Sequence, residues 1–235
     1  MVQNENKKVA IFFDAENTSP THCKFILDEA REYGDVIIKR VYADWSNERV
    51  KGWIKNVNDY ALKPEQQFSP VSGKNSSDFC LNVDVLKVLF ENNVDVFCLA
   101  SSDSDFTRLV QELRERGKVV LGFGKTGAVE VYVRSFSEFI YLDEKPQGQS
   151  GKLPLDRKKM LNAIIDKLID TRNGKALYSE IDKEMRNRAA DFIPKNYNTK
   201  SMTDFIRTYV VPDGDFDAKV DPDGSTRYLV RREKK

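Results

Sequence analysis

Short apolar runs alternate with amphipathic stretches along residues 8–142. Val9-Ala10-Ile11-Phe12-Phe13 and Val94-Asp95-Val96-Phe97-Cys98-Leu99-Ala100 are the clearest of the runs. Buried strands of this kind, separated by amphipathic segments, are the mark of parallel βα units. The pattern predicts strands over residues 8–13, 35–43, 67–71, 94–100 and 118–123, with a short one at 139–142. Helices fill the gaps. Ser19-Pro20 opens the first by cap and first-turn rules, Phe25, Ile26, Leu27 and Ala30 form its apolar stripe, and Gly34 stops it. Residues 47–62 form the second. Ser76 or Ser77 caps the third, with Phe79, Val83, Leu86, Val88, Leu89 and Phe90 inside it. Ser102 or Ser104 caps the fourth, which carries Phe106, Leu109, Val110 and Leu113 and ends at Gly117.

The pattern changes after residue 142. Residues 143–152 hold no apolar side chain and read as a flexible linker. Residues 155–169, 176–188 and 199–211 then read as helices, and residues 216–220 and 226–230 as strands around the turn Asp221-Pro222-Asp223-Gly224. Three helices and a hairpin make a winged helix-turn-helix, a common nucleic-acid-binding architecture. The expected organisation is an α/β domain over residues 1–142, a linker over 143–152 and a small second domain over 153–235.

Charge supports a division of labour between these parts. Residues 151–235 hold 19 Lys and Arg against 14 Asp and Glu, a net of +5, while the rest of the chain is at −4. An acidic first part and a basic second part suit chemistry followed by polyanion binding. The acidic residues of the first part are placed for chemistry. Asp14 follows the first apolar run, and Asp103 and Asp105 follow the fourth. Asp78 stands in the first turn of the third helix. In parallel α/β sheets, ligands bind beyond the carboxyl ends of the strands. Carboxylates gathered there repel one another unless a divalent cation sits among them, and such a cation points to phosphate chemistry.

Other features narrow the reading. Three scattered cysteines, Cys23, Cys80 and Cys98, lack metal-ligand spacing and fit a reducing, cytoplasmic setting. The polar start has no apolar signal core, and no apolar run approaches the ~20 residues of a membrane span. With His22 as the one histidine, no histidine triad or ordinary zinc site can be built. Gly122-Phe123-Gly124-Lys125-Thr126-Gly127 matches G-x-G-x-x-G but stands in the last βα turn, not the first, so it reads as a tight loop. Asn17 either orients a ligand or caps the next helix. Asp84 is a secondary carboxylate on another helix face.

Residues 8–142 resemble the NYN domain family, a branch of the PIN-like nucleases. The resemblance rests on Asp14-Ala15-Glu16-Asn17, on Lys74 followed by Asp78 and Asp84, and on Ser101-Ser102-Asp103-Ser104-Asp105-Phe106, where Ser102 replaces the usual glycine. It implies a PIN-like αβα sandwich around a parallel sheet and metal-dependent RNA cleavage. Asp14, Asp78, Asp103 and Asp105 are its metal-binding and catalytic positions, with Asn17 beside them. Residues 153–235 are similar to OST-HTH or LOTUS domains in Phe192-Ile193-Pro194-Lys195-Asn196-Tyr197 and Met202-Thr203-Asp204-Phe205-Ile206, which implies RNA binding.

The resulting expectation is a Mg²⁺- or Mn²⁺-dependent ribonuclease with an appended RNA-binding module. Oxygen ligands select such ions over zinc. Lys74, Lys125 and Arg134 are candidate phosphate contacts, and Tyr42, Trp45 and Trp53 candidate base-stacking residues, with the helical spacing of Trp53 fitting a core position at least as well. Lys195, Lys200, Lys219 and Arg227 are the candidate RNA contacts of the second domain. The alternatives are a weak or inactive RNA-binding adaptor, a nuclease acting on DNA, and a C-terminal domain that docks a protein.

Overall fold

Val9 to Phe13 are buried on both faces of one strand, which places that strand at the centre of a sheet. This strand, β1 (Lys8–Asp14), pairs in parallel with β2 (Asp35–Ala43) on one side and with β4 (Val96–Ala100) on the other. The computed structural model describes residues 7–66, 76–143, 153–222 and 224–232. The chain divides into two compact units, residues 1–143 and 144–235.

In the first unit, β3 (Lys63–Gln66), β5 (Val119–Gly124) and β6 (Glu138–Tyr141) complete a parallel sheet of order β3-β2-β1-β4-β5-β6. The chain builds outward from β1 to β3, then returns to the other side of β1. The topological switch point therefore lies between β1 and β4, where open α/β sheets take their ligands. The helices are α1 (Cys23–Arg31), α2 (Trp53–Tyr60), α3 (Ser76–Glu91), α4 (Thr107–Glu115) and α5 (Glu130–Ser135). Dinucleotide-binding sheets share this strand order, but here the β1–α1 turn carries Asp14 and Glu16 instead of a glycine cradle.

Several expected elements differ. Residues 67–71, read as a strand, lie outside the described residues, and the outermost strand is Lys63–Gln66 instead. It has no apolar side chain. Backbone pairing to β2 holds it, and Pro64 is tolerated because the strand is at an edge. The single helix expected over 47–62 is a 3-10 turn at Glu48–Val50 followed by the shorter α2. Ser77 lies inside α3, not at its cap. Asp103, rather than Ser102 or Ser104, caps the 3-10 turn Ser104–Phe106 that leads into α4. Phe79, Val83 and Phe90, expected inside α3, are exposed, and Leu81, Val85, Val88 and Leu89 make its buried face.

Gly122 and Gly124 are explained by packing. A Cβ on Gly122 would stand 2.4 Å from the Phe139 ring, and one on Gly124 would stand 2.7 Å from that ring and 3.0 Å from the Ser101 carbonyl. The two glycines let the Phe139 ring lie flat on β5, next to Phe136 and Tyr132. Gly122→Ala is accordingly expected to destabilise the protein by about 1–3 kcal/mol through overpacking. Chemical denaturation would show a lower midpoint with an unchanged slope.

The second unit has α6 (Leu155–Thr171), β7 (Ala176–Leu177), α7 (Tyr178–Arg188), α8 (Met202–Tyr209), β8 (Phe216–Val220) and β9 (Arg227–Arg231). Its antiparallel sheet runs β7-β9-β8, and β7 is a strand that the sequence pattern had merged into the following helix. Ile164, Ile165, Ile181, Met185, Phe192, Phe205, Ile206 and Leu229 form its own core. The Ser201 hydroxyl accepts from the Asp204 amide and caps α8. Among the described residues, no helix of the chain is long and apolar enough to cross a membrane.

Candidate active site

Asp14 is the last residue of β1 and is 1% exposed. Its carboxylate is held from every side. Oδ2 accepts from the Ser101 hydroxyl at 2.7 Å and from Asn17 Nδ2 at 2.7 Å, and Oδ1 accepts from the Glu16 and Asn17 amides at 3.2 Å. Ser101 is the first residue past β4, so its hydroxyl bridges the switch point. A second clasp lies beside it, where the Thr18 hydroxyl donates to the Ala100 carbonyl at 2.8 Å. Burial raises the Asp14 pKa above the usual carboxylate value, against the lowering effect of these hydrogen bonds.

Ser101 also sets the next turn. Its hydroxyl accepts from the Asp103 amide at 3.1 Å, and Asp103 Oδ1 accepts from the Asp105 amide at 2.9 Å. Asp78 approaches from the first turn of α3. Burial, and then the negative charges of Asp14, Asp103, Glu16 and Asp105, push its pKa up to about 7. That field brings the four expected carboxylates into one electrostatic neighbourhood and adds Glu16 as a fifth. Glu16 Oε2 accepts from the Ser77 hydroxyl at 3.0 Å, which ties the start of α3 to the β1–α1 turn.

Sequence reasoning missed Glu16 as a site residue, although its place two residues after Asp14 at a strand end was the available signal. It also missed Ser101, whose role is to orient Asp14. Asn17 orients the Asp14 carboxylate through its side-chain amide and does not cap α1. Asp84 stands apart, engaged by Arg40 Nη1 at 2.9 Å and the Tyr42 hydroxyl at 3.0 Å.

The expected contacts fare unevenly. Lys74 lies outside the described residues. Lys125 follows β5 at the same sheet edge; its amide donates to the Ser102 hydroxyl at 2.8 Å and its side chain is exposed. Arg134 is exposed and ion-paired with Glu130 one turn back. Tyr42 and Trp53 are buried and cannot stack bases. The Tyr42 hydroxyl meets Asp84, and the Trp53 indole donates to the Thr18 carbonyl. Trp45 is half-buried, with its indole donating to the Glu65 carbonyl.

In the second unit, Lys200 and Lys219 are exposed and Lys195 is half-buried. Arg227 is turned onto α8, donating to the Thr203 hydroxyl at 3.0 Å. An open groove of about 1030 Å³ includes Lys219, Asp166, Asp217, Arg231 and Arg232 in its walls. It is remote from the acidic residues in sequence, and its charges neutralise one another, Arg231 on Asp166 and Arg232 on Asp217.

Comparison with known proteins agrees with this geometry. An uncharacterised protein of Methanocaldococcus jannaschii is 23% identical over 169 residues, covering 69% of this chain and 67% of its own. The crystal structure of a protein of unknown function from Vibrio parahaemolyticus shares the fold, with a TM-score of 0.51 at 19% identity. That match covers 61% of this chain and 98% of the other. The family model for the NYN domain matches residues 8–143, the span that contains the whole sheet and every carboxylate of the site. This chain belongs to the NYN domain family, within the PIN-like nuclease superfamily.

Proposed function

We propose that the chain is a divalent-metal-dependent endoribonuclease that cleaves RNA phosphodiester bonds at the Asp14–Asp78–Asp103–Asp105 site. The observation that carries this reading is the Asp14 carboxylate, buried at the switch point and fixed by Ser101 and Asn17, with Asp78 subject to the negative charges of Asp14, Asp103, Glu16 and Asp105. A folded protein retains such mutual repulsion where a cation relieves it.

The donor set fits a hard cation. It contains only carboxylate, hydroxyl and amide groups, with no histidine or thiolate, which suits Mg²⁺ or Mn²⁺ rather than zinc. Among the described residues, no three of the carboxylates already wrap an ion by themselves. Mg²⁺ is usually bound through one or two carboxylates together with water and substrate phosphate. When bound, the cation supplies Lewis-acid activation of water and takes up charge on the phosphate and departing oxygens.

The chain's own residues position and neutralise. Ser101 and Asn17 fix the Asp14 carboxylate, so no side-chain search is needed at that position. Asp78 holds a proton in the ion-free protein up to near neutral pH and gives it up for ligation. Lys125, exposed just past β5, is the proposed contact for a neighbouring phosphate of the substrate.

The second unit is proposed to be a winged helix of the OST-HTH or LOTUS kind that binds RNA. Support comes from its helix order, the β8–β9 hairpin as wing, and exposed Lys200 and Lys219. The test of the whole reading is incubation of the full chain with labelled single-stranded RNA and DNA, with Mn²⁺, with Mg²⁺ and with EDTA. Ion-dependent internal cuts in RNA are expected. Cleavage of DNA alone would reassign the substrate. Binding without cleavage under every ion would favour the adaptor reading, and EDTA-resistant cleavage would remove the metal from the mechanism.

A further inference from the structure

Phe79 immediately follows Asp78 and is 73% exposed. A lone exposed apolar residue needs no explanation, but this one is uncovered at the rim of the acidic site. The first turn of α3 is fixed there by the Ser77–Glu16 hydrogen bond. Adjacent helical residues differ by ~1.5 Å in rise and ~100° in direction, so the Phe79 ring flanks the carboxylates without joining them.

Its direction follows from the far end of the helix. Phe90 lies eleven residues on, about three turns, and so shares the same flank of α3. There the Arg116 guanidinium, just past α4, sits 4.5 Å from the Phe90 ring centre. Phe90 thus meets a side chain from the end of α4 yet stays 63% exposed, and by helical spacing Phe79 lies on the same flank near the start of α3. Asp105 and the exposed Arg108 stand where α4 begins. Of the aromatic residues expected to stack bases, Tyr42 and Trp53 are buried, and Trp45 is half-buried with its indole donating to the Glu65 carbonyl. Phe79 is an exposed ring one residue along α3 from Asp78.

Resting on the nuclease reading of that site, the geometry points to Phe79 as a stacking platform for an unpaired base next to the phosphate at the carboxylates. A base in a duplex has both faces stacked, so the platform selects single-stranded substrate. Stacking on an aromatic ring tolerates every base and is indifferent to the sugar. Purines, with the larger face, gain the most. Selection by this residue is therefore for strandedness rather than for a sequence.

The test uses the full chain and a single-stranded oligonucleotide carrying 2-aminopurine, titrated in Ca²⁺, with cleavage followed separately in Mn²⁺. Stacking quenches the probe. Phe79→Ala and Phe79→Leu are expected to lose the quench and to bind about fivefold or more weakly, the low end of one stacked base. They would raise KM with little change in kcat, and would bind a duplex of the same sequence as the wild type does. Phe79→Trp is expected to keep the quench, and Phe90→Ala to behave as wild type. An unchanged quench in Phe79→Ala, rescue by leucine, or no quench with the wild type would overturn the proposal. So would unchanged oligonucleotide binding together with an altered solution mass in both Phe79→Ala and Phe90→Ala, which would make the flank a protein contact. A wild type that quenches the probe yet cuts nothing in Mg²⁺ or Mn²⁺ would uphold the platform and reject the nuclease reading.

Discussion

Asp78→Asn is expected to reduce ion-dependent RNA cleavage by ~10²-fold or more while making the ion-free protein more stable at pH 8. Loss of a group that merely supports a metal ligand costs ~10–100-fold, and a ligand should cost at least as much. The stability gain follows from linkage. In the folded protein the Asp78 pKa is raised from 3.8 to about 7. Between those values the native state keeps a proton that the unfolded chain has lost, so stability falls as pH rises. The loss is complete above the folded pKa and absent below about pH 4. With solvent screening it amounts to about 2 kcal/mol at pH 8. Thermal melts in EDTA at pH 5 and pH 8 would measure it. The wild type should lose stability between the two, and the variant should lose much less. A gain of the same size at both pH values would show that charge repulsion is not its source. Mn²⁺ should restore the wild type at pH 8 and move the variant less.

The isolated segment of residues 144–235 is expected to bind single-stranded RNA in a strongly salt-dependent way. Four phosphate contacts, from Lys195, Lys200, Lys219 and Arg227, would give a logarithmic slope of about −3. Affinity should then fall roughly 50-fold between 50 and 200 mM salt. The segment has its own core, so it is a fair unit to test. Removing it should raise KM on long RNA and leave turnover of a short oligonucleotide unchanged, because its contribution is effective concentration. Several basic residues of this unit are already paired, Lys158 with Asp213, Lys175 with Asp221 and Arg232 with Asp217. This pairing sharpens the test. Absence of binding at low salt, together with unchanged kinetics after truncation, would make the unit a protein-docking module.

The central strands were legible because strands buried on both faces must be apolar throughout, as residues 9–13 are. Edge strand β3 was not, since Lys63-Pro64-Glu65-Gln66 is held by main-chain pairing that leaves no trace in side-chain pattern. Asp14, Asp103 and Asp105 were legible from their place after strands and Asp78 from the first turn of α3, and the charges of the first three act on Asp78. Their support was harder to read. Ser101 looked like part of a motif and is also the donor to Asp14 across the switch point. Tyr42 was misjudged and Trp53 took its core alternative because their polar atoms found partners inside, the Trp53 indole on Thr18 and the Tyr42 hydroxyl on Asp84. Conversely, α3 is apolar on two sides, so periodicity could not tell its buried stripe from the exposed one that begins at Phe79.

The clasp between β1 and β4 has a consequence for how the protein comes into being. Asp14 depends on Ser101, 87 residues later, and β1 lacks its second neighbour until β4 has been made. A chain still in synthesis can form the β1–β2–β3 half, with the inner edge of β1 unpaired, but it cannot assemble the carboxylate site. Formation of the site is therefore tied to the most non-local pairing in the sheet's centre, a slow class of event in folding. Until β4 and Ser101 exist, Asp14 stands at the end of β1 without the hydroxyl that fixes its carboxylate.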